Sequence, residues 1–181
     1  MIYFITGGAK NGKSSLAQDL AVAMSRGEPH YYIATMIPAD EEDYRRIENH
    51  IKDRAGMGFE TVECGRNILS CLPKVELNGT FLLDSATAQL LNELFPDPTS
   101  CDMDVEAARR CAKDLVTFAR SVKNVVIVSD YIYSDAARYD EVTETYRKCL
   151  ADIDRELAKA SDTVLEVCAG NIVIHKGDLL V

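Results

Sequence analysis

Ile2-Tyr3-Phe4-Ile5-Thr6-Gly7-Gly8-Ala9-Lys10-Asn11-Gly12-Lys13-Ser14-Ser15 is the stretch from which the rest of the chain can be read. Residues 7–14 satisfy G-x-x-x-x-G-K-[ST] without a mismatch. The apolar run 2–5 in front of them reads as a buried strand, and Leu16, Ala17, Leu20, Ala21 and Met24 behind them fall at helical spacing. In a strand–loop–helix unit the loop N–H groups and the helix N-terminus surround an anion. Lys13 is then placed to reach the β- and γ-phosphates, and the Ser14 hydroxyl to ligate Mg²⁺. The expected nucleotide-binding set is Gly7, Gly8, Ala9, Lys10, Asn11, Gly12, Lys13, Ser14 and the adjoining Ser15. The motif does not say which nucleotide binds or what is done to it.

Working outward, short apolar runs alternate with helical patterns. Strands are expected at 31–34, 59–62, 80–84 and 125–128. Helices are expected across 40–53, around Leu90, Leu91 and Leu94 until Pro96 and Pro98 stop it, from Val105 to Ala119, and through Val142, Tyr146, Cys149, Ile153 and Leu157. Two final β runs, 163–168 and 172–174, are separated by Gly170-Asn171, a hairpin signal. The pattern predicts an α/β fold: a P-loop NTPase-like three-layer sandwich, its sheet mainly parallel with a C-terminal antiparallel hairpin, and ligands at the strand C-terminal ends. With 181 residues, 47% of them hydrophobic, a single domain over 1–181 is expected.

Bulk charge narrows the partners. A net charge of -9 argues against a nucleic-acid partner, which needs a basic face. It permits an anionic small molecule held by a local basic ridge. No run is long enough to span a membrane, no signal peptide precedes the first strand, and six scattered cysteines form no C-x-x-C. A cytoplasmic protein with reduced thiols is expected.

Three sites stand outside the loop. Asp84 closes the run Phe81-Leu82-Leu83, where a P-loop protein holds its metal opposite Ser14, although a polar residue also simply ends a buried strand. On the 40–53 helix, Tyr44, Ile47 and Ile51 form an apolar stripe, and Arg46, His50 and Arg54 a ridge beside it. Forked guanidinium contacts would bind phosphate, and their field would keep His50 a neutral nucleophile. The same spacing suits a solvated face paired with Glu42, Asp43 and Asp53. Asp130 is either a second carboxylate at the rim or a turn cap; His30 and His175 read as structural or exposed.

Together these residues resemble the bifunctional adenosylcobinamide kinase/adenosylcobinamide-phosphate guanylyltransferases of cobalamin biosynthesis. The similarity rests on Thr6 to Ala9 with Gly12-Lys13-Ser14, Tyr32-Ile33-Ala34-Thr35, Arg46-Ile47 with His50, Glu63-Cys64, and Leu83-Asp84 with Thr87 and Asn92. It continues through Leu157-Ala158, Ala160 and Asp162 to the terminal segment from Gly170 to Gly177. The resemblance implies catalysis by His50 and Lys13, with His50 guanylylated. It also implies nucleotide contacts from Arg46, Arg54 and Glu63, metal contacts from Ser14 and Asp84, ATP or GTP with Mg²⁺, a corrinoid acceptor and a trimer. The chain departs from the family where Asn-Glu-Val-Gly is replaced by Asp130-Tyr131-Ile132-Tyr133, and Asn-Gln by Asp154-Arg155. Those departures keep open a kinase for another small metabolite, or a non-catalytic GTP-dependent switch.

Overall fold

The computed structural model describes residues 1–97, 99–100, 102–133 and 137–179. Pro98 and Cys101 fall outside them, as does part of the segment after Tyr133. The chain runs β1 (Ile2–Gly7), α1 (Lys13–Ser25), β2 (His30–Ala34), α2 (Glu41–Asp53), β3 (Glu60–Glu63), a 3₁₀ turn (Ile68–Lys74) and β4 (Thr80–Asp84). It continues with α3 (Ala86–Leu94), α4 (Val105–Ser121), β5 (Asn124–Val128), α5 (Glu141–Ala160), β6 (Thr163–Cys168) and β7 (Asn171–Lys176).

The strands form one sheet in the order β3-β2-β4-β5-β1-β6-β7. β1 through β6 are parallel, and β7 pairs antiparallel with β6, as expected. Alternation along the strands feeds two apolar layers. Phe4, Ile33, Phe81, Leu83, Val125 and Ile127 face α3, α4 and α5. Tyr3, Ile5, Leu82, Val126, Val128 and Leu165 face α1. Strands buried on both faces read as continuous apolar runs, which is why these are recognisable in the sequence. The Asp162 carboxylate anchors the start of β1 by accepting from the Ile2 N–H at 2.7 Å.

One local expectation is corrected, and two features add to the reading. The hairpin turn is Ala169-Gly170, with φ 49° and 77°, and Asn171 already belongs to β7. Positive φ at both central residues fits the right-handed strand twist. The 3₁₀ turn has no clear signal in the sequence: Pro73 within it reads as a break rather than a helix. The Tyr44/Ile47/Ile51 stripe does not enter a core, because α2 buries none of its residues.

Candidate active site

The loop after β1 is built to receive an anion. Gly12 takes a left-handed φ of 86° at the N-cap of α1, which has no side-chain cap and no acid in its first turn. Among the described residues the other four α-helices are capped, by Asp40, Ser85, Asp104 and Asp140. The α1 N–H groups are therefore left open, where helix dipole and donors favour negative charge. Gly7 is needed for space: a Cβ there would strike the Val167 carbonyl on β6. Lys13 is 5% exposed, and its ammonium donates to the Gly8 carbonyl at 2.7 Å and pairs with Asp130 Oδ1 at 2.6 Å.

β5 lies between β1 and β4, so the carboxylate ending β4 approaches the loop from one strand away. Asp84 accepts from the Tyr32 hydroxyl at 3.1 Å, and the Ser14 hydroxyl lies near enough to favour its charged form. Burial pushes its carboxyl above the ordinary range. Burial, followed by the Asp84 charge, likewise raises the Tyr32 phenol. His50 turns its Nδ1 toward Asp84 Oδ2 at 4.0 Å, and that buried nitrogen has no hydrogen-bond partner.

The basic ridge separates in three dimensions. Arg46 pairs with Glu42 at 2.6 Å and lies 3.7 Å from Asp43, as the solvated-face reading expects. Arg54 stacks over the Tyr32 ring at 4.1 Å and donates to Thr61 Oγ1 at 3.2 Å. The charged group that the imidazole faces in this arrangement is a carboxylate, a contact that helix spacing does not reveal.

All these groups nonetheless share one cavity of about 860 Å³. Ala9, Lys10, Asn11, Gly12, Lys13, Ser14 and Ser15 line one wall; Arg46, His50, Arg54, Glu63, Asp84 and Asp130 line others. Gly7 and Gly8 lie just behind, at the loop's entry. Sequence reasoning misses the apolar part of the wall, formed by Met36, Ile37, Pro38 and Ile47. The segments behind the wall are cross-tied: Asn92 donates to the Thr35 and Gly65 carbonyls at 2.7 and 2.8 Å, and Thr35 Oγ1 both accepts from Ser85 N–H and donates to Ser85 O.

The unusual 130–133 segment is well anchored. The Asp130 N–H donates to Thr87 Oγ1 at 2.8 Å. The Tyr131 hydroxyl donates to Glu166 at 3.0 Å, and His175 binds the other Glu166 oxygen at 2.8 Å. The Tyr133 hydroxyl donates to Asp154 Oδ2 at 2.8 Å, tying the segment to α5. Burial pushes the Asp154 carboxyl up to about 6, against the Tyr133 hydrogen bond and the nearby Ser129 hydroxyl, which lower it.

Two hard oxygen donors, the Ser14 hydroxyl and the Asp84 carboxylate, meet beside the open α1 N-terminus and fit a divalent cation. Among the described residues no group of three or more acidic, His or Cys side chains is placed to hold a metal ion by itself. A cation here would take its remaining ligands from phosphate and water. The described cysteines Cys64, Cys71, Cys111, Cys149 and Cys168 are free.

Solved structures place the fold. The flagellar accessory protein FlaH from Methanocaldococcus jannaschii aligns with TM-score 0.52 and 12% identity over 98% of this chain and 78% of that one. A KaiC-like protein from Pyrococcus horikoshii OT3 aligns with TM-score 0.53 and 14% identity over 97% and 78%. The sheet order and the loop make this chain P-loop NTPase-like. The profile of the cobinamide kinase / cobinamide phosphate guanyltransferase family matches residues 3–174, and the chain belongs to that family. The bifunctional adenosylcobalamin biosynthesis protein CobU of Salmonella typhimurium is 29% identical over 94% of this chain and 97% of its own length. CobP of Pseudomonas aeruginosa is 29% identical over 97% and 98%.

Proposed function

We propose that this chain is a two-step cobalamin-biosynthesis enzyme acting in the cytoplasm as one nucleotide-binding domain. It phosphorylates the hydroxyl of adenosylcobinamide with ATP or GTP, then transfers GMP from GTP to the product. The observation that carries the reading is the single cavity holding both the loop and the His50 imidazole. In the first step the loop amides and Lys13 hold the triphosphate. In the second, a His50 ring nitrogen attacks the α-phosphorus of GTP, a P–N bond forms, and pyrophosphate leaves. An oxygen of cobinamide phosphate then displaces the histidine, freeing the imidazole. A Mg²⁺ on Ser14 and Asp84 would neutralise phosphate charge in both displacements.

Arg46, Arg54 and Glu63 line the cavity and are assigned to the nucleotide. Arg46 exchanges Glu42 for phosphate, and Glu63 offers an acceptor for base N–H groups. The corrinoid acceptor lies along the apolar wall, and the assembly is a trimer, as the family resemblance implies. The test is product analysis with cobinamide, ATP and GTP. Sequential appearance of cobinamide phosphate and then of GDP-cobinamide, its GMP adduct, supports the reading; intact nucleotide and corrinoid after prolonged incubation would refute it.

A further inference from the structure

Asp84 and Asp130 both reach the cavity, but their surroundings differ. Asp84 accepts from Tyr32, lies beside Ser14 and faces His50. The Asp130 carboxylate forms an ion pair with Lys13 at 2.6 Å, and the Asp84 and Asp154 carboxylates lie near enough for like-charge repulsion. That carboxylate is about one-third exposed, toward the cavity. Its backbone is held on both sides, by Asp130 N–H to Thr87 Oγ1 at 2.8 Å and by Tyr131 N–H to the Gly7 carbonyl at 3.3 Å. The neighbouring tyrosines point elsewhere, to Glu166 and Asp154, so within 130–133 only Asp130 offers a carboxylate to the site.

We infer that Asp130 is a nucleotide-released catalytic carboxylate. Without nucleotide it neutralises the buried Lys13 ammonium. The polyphosphate takes that ammonium, because Lys13 is the loop residue placed to reach the β- and γ-phosphates. The exchange leaves Asp130 without its counter-ion, at the edge of the phosphate site and fixed in place by Thr87. There it accepts a hydrogen bond from the acceptor hydroxyl and then its proton. The hydroxyl oxygen bonds to the γ-phosphorus, the bond to the β-phosphate oxygen breaks, and the nucleoside diphosphate leaves. The proposal rests on the kinase step assigned above, and it adds a residue that nothing in the loop motif supplies.

The two roles make one substitution move two quantities in opposite directions. Asp130→Asn removes the competitor for Lys13, so ATP and GTP should bind roughly 3- to 10-fold more tightly. It also removes the proton acceptor, so kcat for cobinamide phosphorylation should fall roughly 100-fold or more. A carboxylate that merely supported the loop would weaken both. The experiment pairs calorimetric binding of each nucleotide with single-turnover phosphorylation of cobinamide by the full chain. Asp130→Ser gives the same readouts from a smaller side chain if the first variant does not fold. Tighter binding with slower transfer supports the proposal. An unchanged kcat overturns the proton-acceptor role, and unchanged or weaker nucleotide binding overturns the competition. If the wild-type chain binds nucleotide but phosphorylates no cobinamide, the assignment of function fails, and this role fails with it. The binding comparison still tests the Lys13–Asp130 exchange separately.

Discussion

Replacing Asp154 by Asn should stabilise this protein at neutral pH and have little effect in acid. Asp154 lies on α5, is 5% exposed, and has one carboxylate oxygen without a partner. Burial raises its carboxyl from 3.8 to about 6. The folded state therefore keeps a proton that the unfolded chain has released between about pH 4 and pH 6. Stability from this residue is complete below about pH 4 and is lost as the pH rises through 6. The gap corresponds to roughly 3 kcal/mol, an upper value because the surroundings relax. Asparagine is neutral throughout and can still accept from the Tyr133 hydroxyl. The variant's advantage should grow from near zero at pH 4 to as much as about 3 kcal/mol at pH 8. With no tryptophan in the chain, urea unfolding followed by far-UV circular dichroism at pH 4, 6 and 8 is the suitable assay. An advantage that does not change with pH, or a loss of stability at pH 8, would refute the reasoning.

Lys13→Ala should abolish nucleotide turnover, with activity down at least about 100-fold, because its buried ammonium is the loop cation placed to reach the phosphates; steady-state phosphate release checks this. Asn92→Ala should cost about 1–3 kcal/mol, since it leaves the Thr35 and Gly65 carbonyls without their donor; denaturant midpoints measure the loss. Phe118→Ala should cost about 3–5 kcal/mol, because Phe118 is fully buried and sits edge-on to Phe81 at 5.7 Å; thermal unfolding checks it.

The fold is largely legible in the sequence because its strands are buried on both faces and its loop motif is local. Phe81-Leu82-Leu83 and Val125 to Val128 can scarcely be read otherwise, and the loop glycines announce their backbone. The candidate site is legible as a set of residues but not as a set of partners. Helix spacing places Arg46, His50 and Arg54 on one ridge and gives Arg46 its i,i+4 partner Glu42, but only tertiary contacts turn His50 toward Asp84 and Arg54 over Tyr32. The ion pair between Lys13 and Asp130 spans 117 positions (130 minus 13), and the Tyr133–Asp154 bond joins a loop to a distant helix face. Such contacts follow from strand order, which periodicity alone does not encode.

The most direct test of the central claim is intact-mass spectrometry after incubation with Mg²⁺ and GTP, under neutral-to-basic conditions that preserve P–N bonds. We expect a GMP-sized adduct that maps to His50, is absent from His50→Ala, and disappears when cobinamide phosphate is added. Unmodified protein that demonstrably binds GTP, or an adduct that persists in His50→Ala, would contradict it.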